Sequence, residues 1–242
     1  MMVSFAKRCM KEILRDPLTV AFGLGFPVVV LLLLSLIQAN IPVDLFVLDS
    51  LTPGISVFGL SFIALFSAQL IARDRSTAFM LRLYTSPMRS VDFILGYSLP
   101  LLPLSVVQMA VCFAVALLLG LPFSWRILLT ILFLVPAAMV FIALGLLCGS
   151  LLNEKQVGGF CGALLTNLSA WLSGTWFSLD LMGNTFRRIA FALPFARAVE
   201  TGRAVMRADY AGALCHLVWV LVWAAALCIL AVVCFRRKMR EE

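Results

Sequence analysis

The sequence predicts an all-α polytopic membrane protein. Of its 242 residues 63% are hydrophobic and only 13% charged, and six runs long enough to cross a bilayer contain no Asp, Glu, Lys or Arg. Soluble domains carry about a quarter charged residues, so this chain is solvated largely by lipid. A spanning helix needs about 20 apolar residues. The length therefore accommodates six transmembrane helices with short connections, forming one domain over residues 1–242.

The elements follow in order. In residues 1–17, Val3, Ala6, Met10, Ile13 and Leu14 recur at helical spacing while Lys7, Arg8, Lys11 and Arg15 face elsewhere. This pattern predicts an N-terminal interfacial helix on the inner leaflet, after which Pro17 turns the chain into the membrane. The first run, Leu18 to Gln38, is too long for a signal-peptide core and is followed by no clear small-residue cleavage site, so it is expected to stay as the first span. The others are Leu51 to Ala72, Phe93 to Leu121, Ile127 to Leu152, Gln156 to Leu179 and Tyr210 to Phe235. Pro27, Pro100, Pro103 and Pro136 are expected to bend or unwind their helices. The loop 180–209 places Ile189, Phe191, Leu193, Phe195, Val199 and Val205 among arginines, which predicts short outer re-entrant or amphipathic helices.

Basic residues set the orientation. The termini, the connection 73–92 and Lys155 hold 13 of the 19 Lys and Arg, and the other side holds 6. The richer side is the cytoplasmic one, which puts both termini there and requires an even number of crossings. The net charge of +7 is thus a topology signal with no need of a nucleic-acid partner. The seven cysteines lie in apolar runs or, for Cys9, in the basic N-terminal segment, and read as small packing residues.

Several chemistries are absent from the sequence. Gly-Lys occurs nowhere, so there is no phosphate-cradling loop of an ATPase. His216 is the sole histidine, which excludes HExxH zinc chemistry and leaves no metal site to propose. No complete Gly-x-Ser-x-Gly elbow exists to support a hydrolase. An ion-coupled secondary transporter would be expected to keep carboxylates within its spans, and a membrane enzyme or assembly factor would need a convergent polar constellation. Neither is evident. Gln69, Gln108 and Asn167 are the notable polar side chains in the runs, suited either to interhelical hydrogen bonds or to a substrate path. Gly158, Gly159 and Gly162 form a small-residue face that would permit close helix approach.

After the second run the chain reads Ala72-Arg73-Asp74-Arg75-Ser76-Thr77-Ala78-Phe79-Met80-Leu81-Arg82-Leu83-Tyr84-Thr85-Ser86-Pro87-Met88-Arg89. This resembles the signature of type-2 ABC transporter permeases: an acidic-Arg pair (Asp74-Arg75), a short helix ending in Arg82-Leu83, a Ser86-Pro87 turn, and Gly96 just inside the next span. Ser76, Ala78 and Phe79 depart from the usual acid, Gly and Thr. Leu14-Arg15-Asp16-Pro17 resembles the elbow before the family's first span. Leu193-Pro194-Phe195, with Glu200 and Arg203 after it, resembles the family's outer stretch, with Leu193 in place of Asn.

The resemblance implies the permease half of an ATP-driven exporter of the multidrug-efflux kind in a bacterial cell membrane. It also implies a second permease as dimer partner and separate cytosolic ATPase subunits carrying ATP and Mg. Asp74, Arg75, Met80, Arg82, Leu83, Pro87 and Met88 would then form the coupling segment, its apolar side chains entering an ATPase groove. Spans without charges favour an amphipathic or hydrophobic, small-molecule or lipid-like substrate over a strongly ionic one.

Overall fold

The computed structural model describes residues 2–42, 45–76, 90–177 and 179–241. Met80, Arg82, Leu83, Pro87 and Met88 lie outside them. All regular structure among the described residues is helical. The long helices are α2 (Pro17–Asn40), α3 (Leu48–Arg75), α4 (Ser90–Leu118), α5 (Arg126–Leu151) and α10 (Tyr210–Glu241). Before them comes α1 (Met2–Leu14). Between α5 and α10 lie α6 (Glu154–Val157), a π-helical segment (Gly158–Leu165), α7 (Thr166–Leu172), a 3-10 turn (Leu179–Met182), α8 (Asn184–Ala192) and α9 (Pro194–Met206).

Five of the predicted runs form helices long and apolar enough to cross a membrane. The sixth, Gln156 to Leu179, differs from expectation. It is helical from 154 to 172, but in three pieces, none of span length. An Asn153/Gln156 capping box starts it. Glycines 158, 159 and 162 lie in its π-helical middle, a wider coil that costs regular hydrogen bonding. Gly174, with φ +68°, takes the left-handed conformation just past its end, so the helix stops seven residues before the apolar run does. The two ends of this segment nonetheless lie near opposite ends of α3. Arg73 pairs with Glu154 at 3.6 Å at one end, and the Gly174 carbonyl accepts from Arg203 at 3.0 Å at the other.

Of the two effects expected at proline, bending or unwinding, unwinding does not occur. Pro27, Pro53, Pro100, Pro103 and Pro136 all sit inside helices that continue unbroken through them. Helix α4 ends at Leu118, earlier than the run suggests. Gly120 turns left-handed (φ 106°) and the Leu121 amide bonds back to Ala116 at 2.9 Å.

Helix α3 is the central element: 83% of its most apolar stretch is buried, against 22% for α2 and for α10. Its closest neighbour is α5. A Cβ built on Gly145 would strike the Ala64 carbonyl oxygen, and one on Gly149 would strike that of Ala68. Ser67 also donates to the Ile142 carbonyl at 3.0 Å. This is small-residue packing of two helix backbones. It falls on Gly145 and Gly149. A methyl group placed on Gly158 or Gly159 would instead meet nothing within 4 Å, and one on Gly162 would meet only Leu65. The loop 180–209 folds into the 3-10 turn, α8 and α9, with Gly202 of α9 pressed on Pro53 at the start of α3.

Candidate functional site

The end of the bundle that carries α1 holds a charged junction. Asp74 in the last turn of α3 is 2% exposed. Arg8 of α1 meets it with two hydrogen bonds, Nη2 to Oδ1 at 2.7 Å and Nη1 to Oδ2 at 3.0 Å. Tyr97 of α4 donates its hydroxyl to Oδ2 at 2.8 Å. A buried carboxylate is tolerated only when charge and lone pairs are met in this way. Glu12, one turn along α1, is 3.1 Å from Arg8. Burial opposes the charge of Arg8, but its hydrogen bonds to Asp74 and that residue's charge leave the guanidinium held above its ordinary pKa. Burial, followed by the charge of Asp74, raises the Glu12 carboxyl.

Aromatic packing holds α1 over this pair. Phe5 meets the Tyr97 ring edge-on at a centroid distance of 4.9 Å and the Phe93 ring at 6.0 Å. Its ring lies where a side chain on Gly96 would be. The amphipathic pattern produces this geometry: Phe5, Cys9 and Ile13 are buried, with Arg8 beside them reaching Asp74. Cys9 is fully buried, and burial, assisted by the charge of Asp74, pushes its thiol up to about 12.

Arg75 reaches the other way. Its guanidinium donates to the Gly149 and Ser150 carbonyls at 3.1 and 2.6 Å. These carbonyls belong to the last turn of α5, where acceptors lack helical partners and a cation is favoured by the helix dipole. The consecutive residues Arg73, Asp74 and Arg75 therefore join α3 to α6, to α1 with α4, and to α5.

Of the predicted coupling residues, Asp74 and Arg75 stand at this junction, at the end of α3. The three predicted path residues do not converge. Gln69 borders a narrow slot beside Ile13, Phe66 and Leu70. Gln108 is fully buried against Gly59 and Pro27, its Nε2 3.4 Å from the Cys112 sulfur and its Oε1 without a hydrogen-bond partner among the described residues. Asn167 is exposed and bonds back to the Ala163 carbonyl at 2.8 Å.

Asn167 does border a groove of about 740 Å³ between α2, α3 and α7, walled by Phe22, Phe26, Phe58, Phe62, Trp171 and Trp176. Phe26 and Phe62 lie 5.2 Å apart by centroid, and Phe58 and Trp176 5.6 Å. At the far end of the bundle Arg203 bonds Glu200 at 2.9 Å, the Ser50 carbonyl at 3.1 Å and the Gly174 carbonyl. Arg197 donates to His216 Nδ1 at 2.9 Å, which places the imidazole proton on Nε2.

Arg8, Glu12 and Tyr97 were not among the predicted site residues. One signal did exist: a tyrosine about one turn into an apolar run needs a partner for its hydroxyl.

Long apolar helices packed around α3, with charge concentrated at the bundle ends, define a multi-pass membrane protein. The profile of the ABC-2 type transporter family matches residues 2–206. The chain belongs to that family, whose members are membrane-spanning subunits of ABC transporters and not themselves ATPases. Comparison with curated proteins gives no match.

Proposed function

We propose that this chain is the permease subunit of an ATP-driven exporter in a bacterial cell membrane. It works as a dimer with a second permease and with two separate ATPase subunits that bind ATP and Mg. The observation that carries this reading is the Asp74–Arg75 junction. It ties α1, α4 and α5 to the last turn of α3, directly ahead of the connection 77–89. A force applied to that connection by an ATPase would reach four helices at once. On this reading residues 154–172 supply the fifth of six crossings, and both termini are cytoplasmic. The aromatic groove beside Asn167 suits an amphipathic or hydrophobic compound, because its walls offer ring faces and a single amide but no charge.

The test is co-expression with the candidate ATPase, measuring membrane abundance, copurifying ATPase and transport together. Met80→Asp with Leu83→Asp should release the ATPase or uncouple it while the permease still inserts, because an unpaired charge in an apolar contact is costly. Normal ATPase binding with normal transport in that variant would remove the segment from the mechanism.

A further inference from the structure

Beside the charged junction, α1 and α3 enclose a groove of about 750 Å³ whose lining carries five cations, the two acids Glu12 and Asp16, and Ser4 and Pro17. Arg8 is engaged by Asp74 and Glu12, and Arg73 leans toward Glu154. Lys7, Lys11 and Arg15 form no ion pair among the described residues, so the lining holds more positive charge than its own acids neutralise. Lys7 and Lys11 share one face of α1, with Ser4 at its start and Arg15 just past its end.

Two features say what kind of anion fits. The groove runs along the stretch where the chain enters the first span at Pro17, and Val3 and Leu14 on the same helix stand 55% and 63% exposed. A helix with free leucine and valine beside free lysines is built for a boundary between acyl chains and headgroups. Below the groove α1 and α3 close on each other: the narrow slot there, which shares Glu12, Asp16 and Arg73 with it, has only about 20 Å³ and admits no chain.

We propose that this groove seats the phosphate headgroup of an anionic membrane phospholipid, with an acyl chain alongside the exposed Val3 and Leu14. The proposal rests on α1 lying at the bilayer surface. The bound phosphate relieves the repulsion of Lys7, Lys11 and Arg15 against Arg73, and so fastens α1 to α3 next to the Arg8–Asp74 pair. Lys7 and Lys11 bind the headgroup as point charges.

The test uses the purified full chain in detergent, titrated with phosphatidylglycerol, phosphatidylcholine or inorganic phosphate, with bound lipid counted by native mass spectrometry. Phosphatidylglycerol should be retained in preference to phosphatidylcholine. Lys7→Gln with Lys11→Gln should weaken it by roughly 25-fold, about fivefold per charge, and Lys7→Arg with Lys11→Arg should restore it. Inorganic phosphate, which lacks the chain, should not displace it at equal concentration. Thermal unfolding of the wild type gives a readout free of any folding defect in the variants, with a higher midpoint in phosphatidylglycerol than in phosphatidylcholine. Equal lipid retention by the wild type and the glutamine variant, or equal midpoints in the two lipids, would overturn the proposal. Displacement by phosphate at parity would assign the groove to a free anion. Loss of a copurifying ATPase from the glutamine variant, with lipid retention intact, would assign it to protein docking. Either result also overturns the lipid site.

Discussion

Removing Arg8 should free α1 more readily than neutralising Asp74. In Arg8→Ala the carboxylate stays behind at 2% exposure, with the Tyr97 hydroxyl still donating to it but its guanidinium gone. Breaking a buried ion pair by removing one partner costs about 3–5 kcal/mol. In Asp74→Asn the charge left over is Arg8, whose side chain is 37% exposed and still reaches Glu12 at 3.1 Å, so it can turn to water. A solvent-screened loss of about 1–2 kcal/mol is expected there. Cys9 supplies the assay, because it is fully buried under α1 with its thiol pushed up to about 12. In a variant retaining Cys9 as its single cysteine, maleimide labels it only when α1 lifts and the thiol returns to its ordinary range. A cost of about 3 kcal/mol should raise the labelling rate on the order of 100-fold. Arg8→Met with Asp74→Leu, which removes both charges, should bring the rate back toward the parent. The reasoning fails if Asp74→Asn labels faster than Arg8→Ala, or if Arg8→Ala labels no faster than the parent.

Three further outcomes are expected. Gly145→Val should force α3 from α5 and cost about 1–3 kcal/mol, read as lower membrane abundance and earlier thermal aggregation, whereas Gly158→Ala should leave both unchanged because nothing lies within 4 Å. Gln108→Met should hold or raise the unfolding midpoint without altering substrate preference, since the Oε1 it removes is buried without a hydrogen bond among the described residues; a selectivity change at normal abundance would show a substrate contact. Ala208→Gly should stabilise by about 1 kcal/mol in the same thermal assay, because Ala208 is held at φ 62°, where only glycine rests without strain.

The spans were legible because a bilayer imposes a length, and apolar length is written directly in the sequence. Helices α3, α5 and α10 coincide closely with the runs Leu51 to Ala72, Ile127 to Leu152 and Tyr210 to Phe235. What lies within a span was harder to read. Helices that are apolar all round show no preferred face, so nothing in the periodicity marked Gly145 and Gly149 as the backbone contact rather than Gly158 and Gly159. Whether a proline unwinds its helix is likewise not written locally, since its cost depends on neighbours that supply the missing hydrogen bonds. Asp74 and Arg75 were recognisable from a local motif. Their partners Arg8 and Ser150 lie 66 and 75 residues away, and only the folded arrangement brings them together.

The contact between α3 and α5 has a mechanical corollary. Helix α3 is 28 residues long, a rod of about 42 Å. Backbone-to-backbone packing at Gly145 and Gly149, together with the clasp of Arg75 on the final turn of α5, splints the two rods along their lower halves. There is no compressible layer of long side chains between them to absorb a shift. On the proposed function, a load entering at residue 76 would be borne by a double beam, stiffer in bending than either helix alone, and its displacement would emerge at the opposite end where Ser50 meets Arg203.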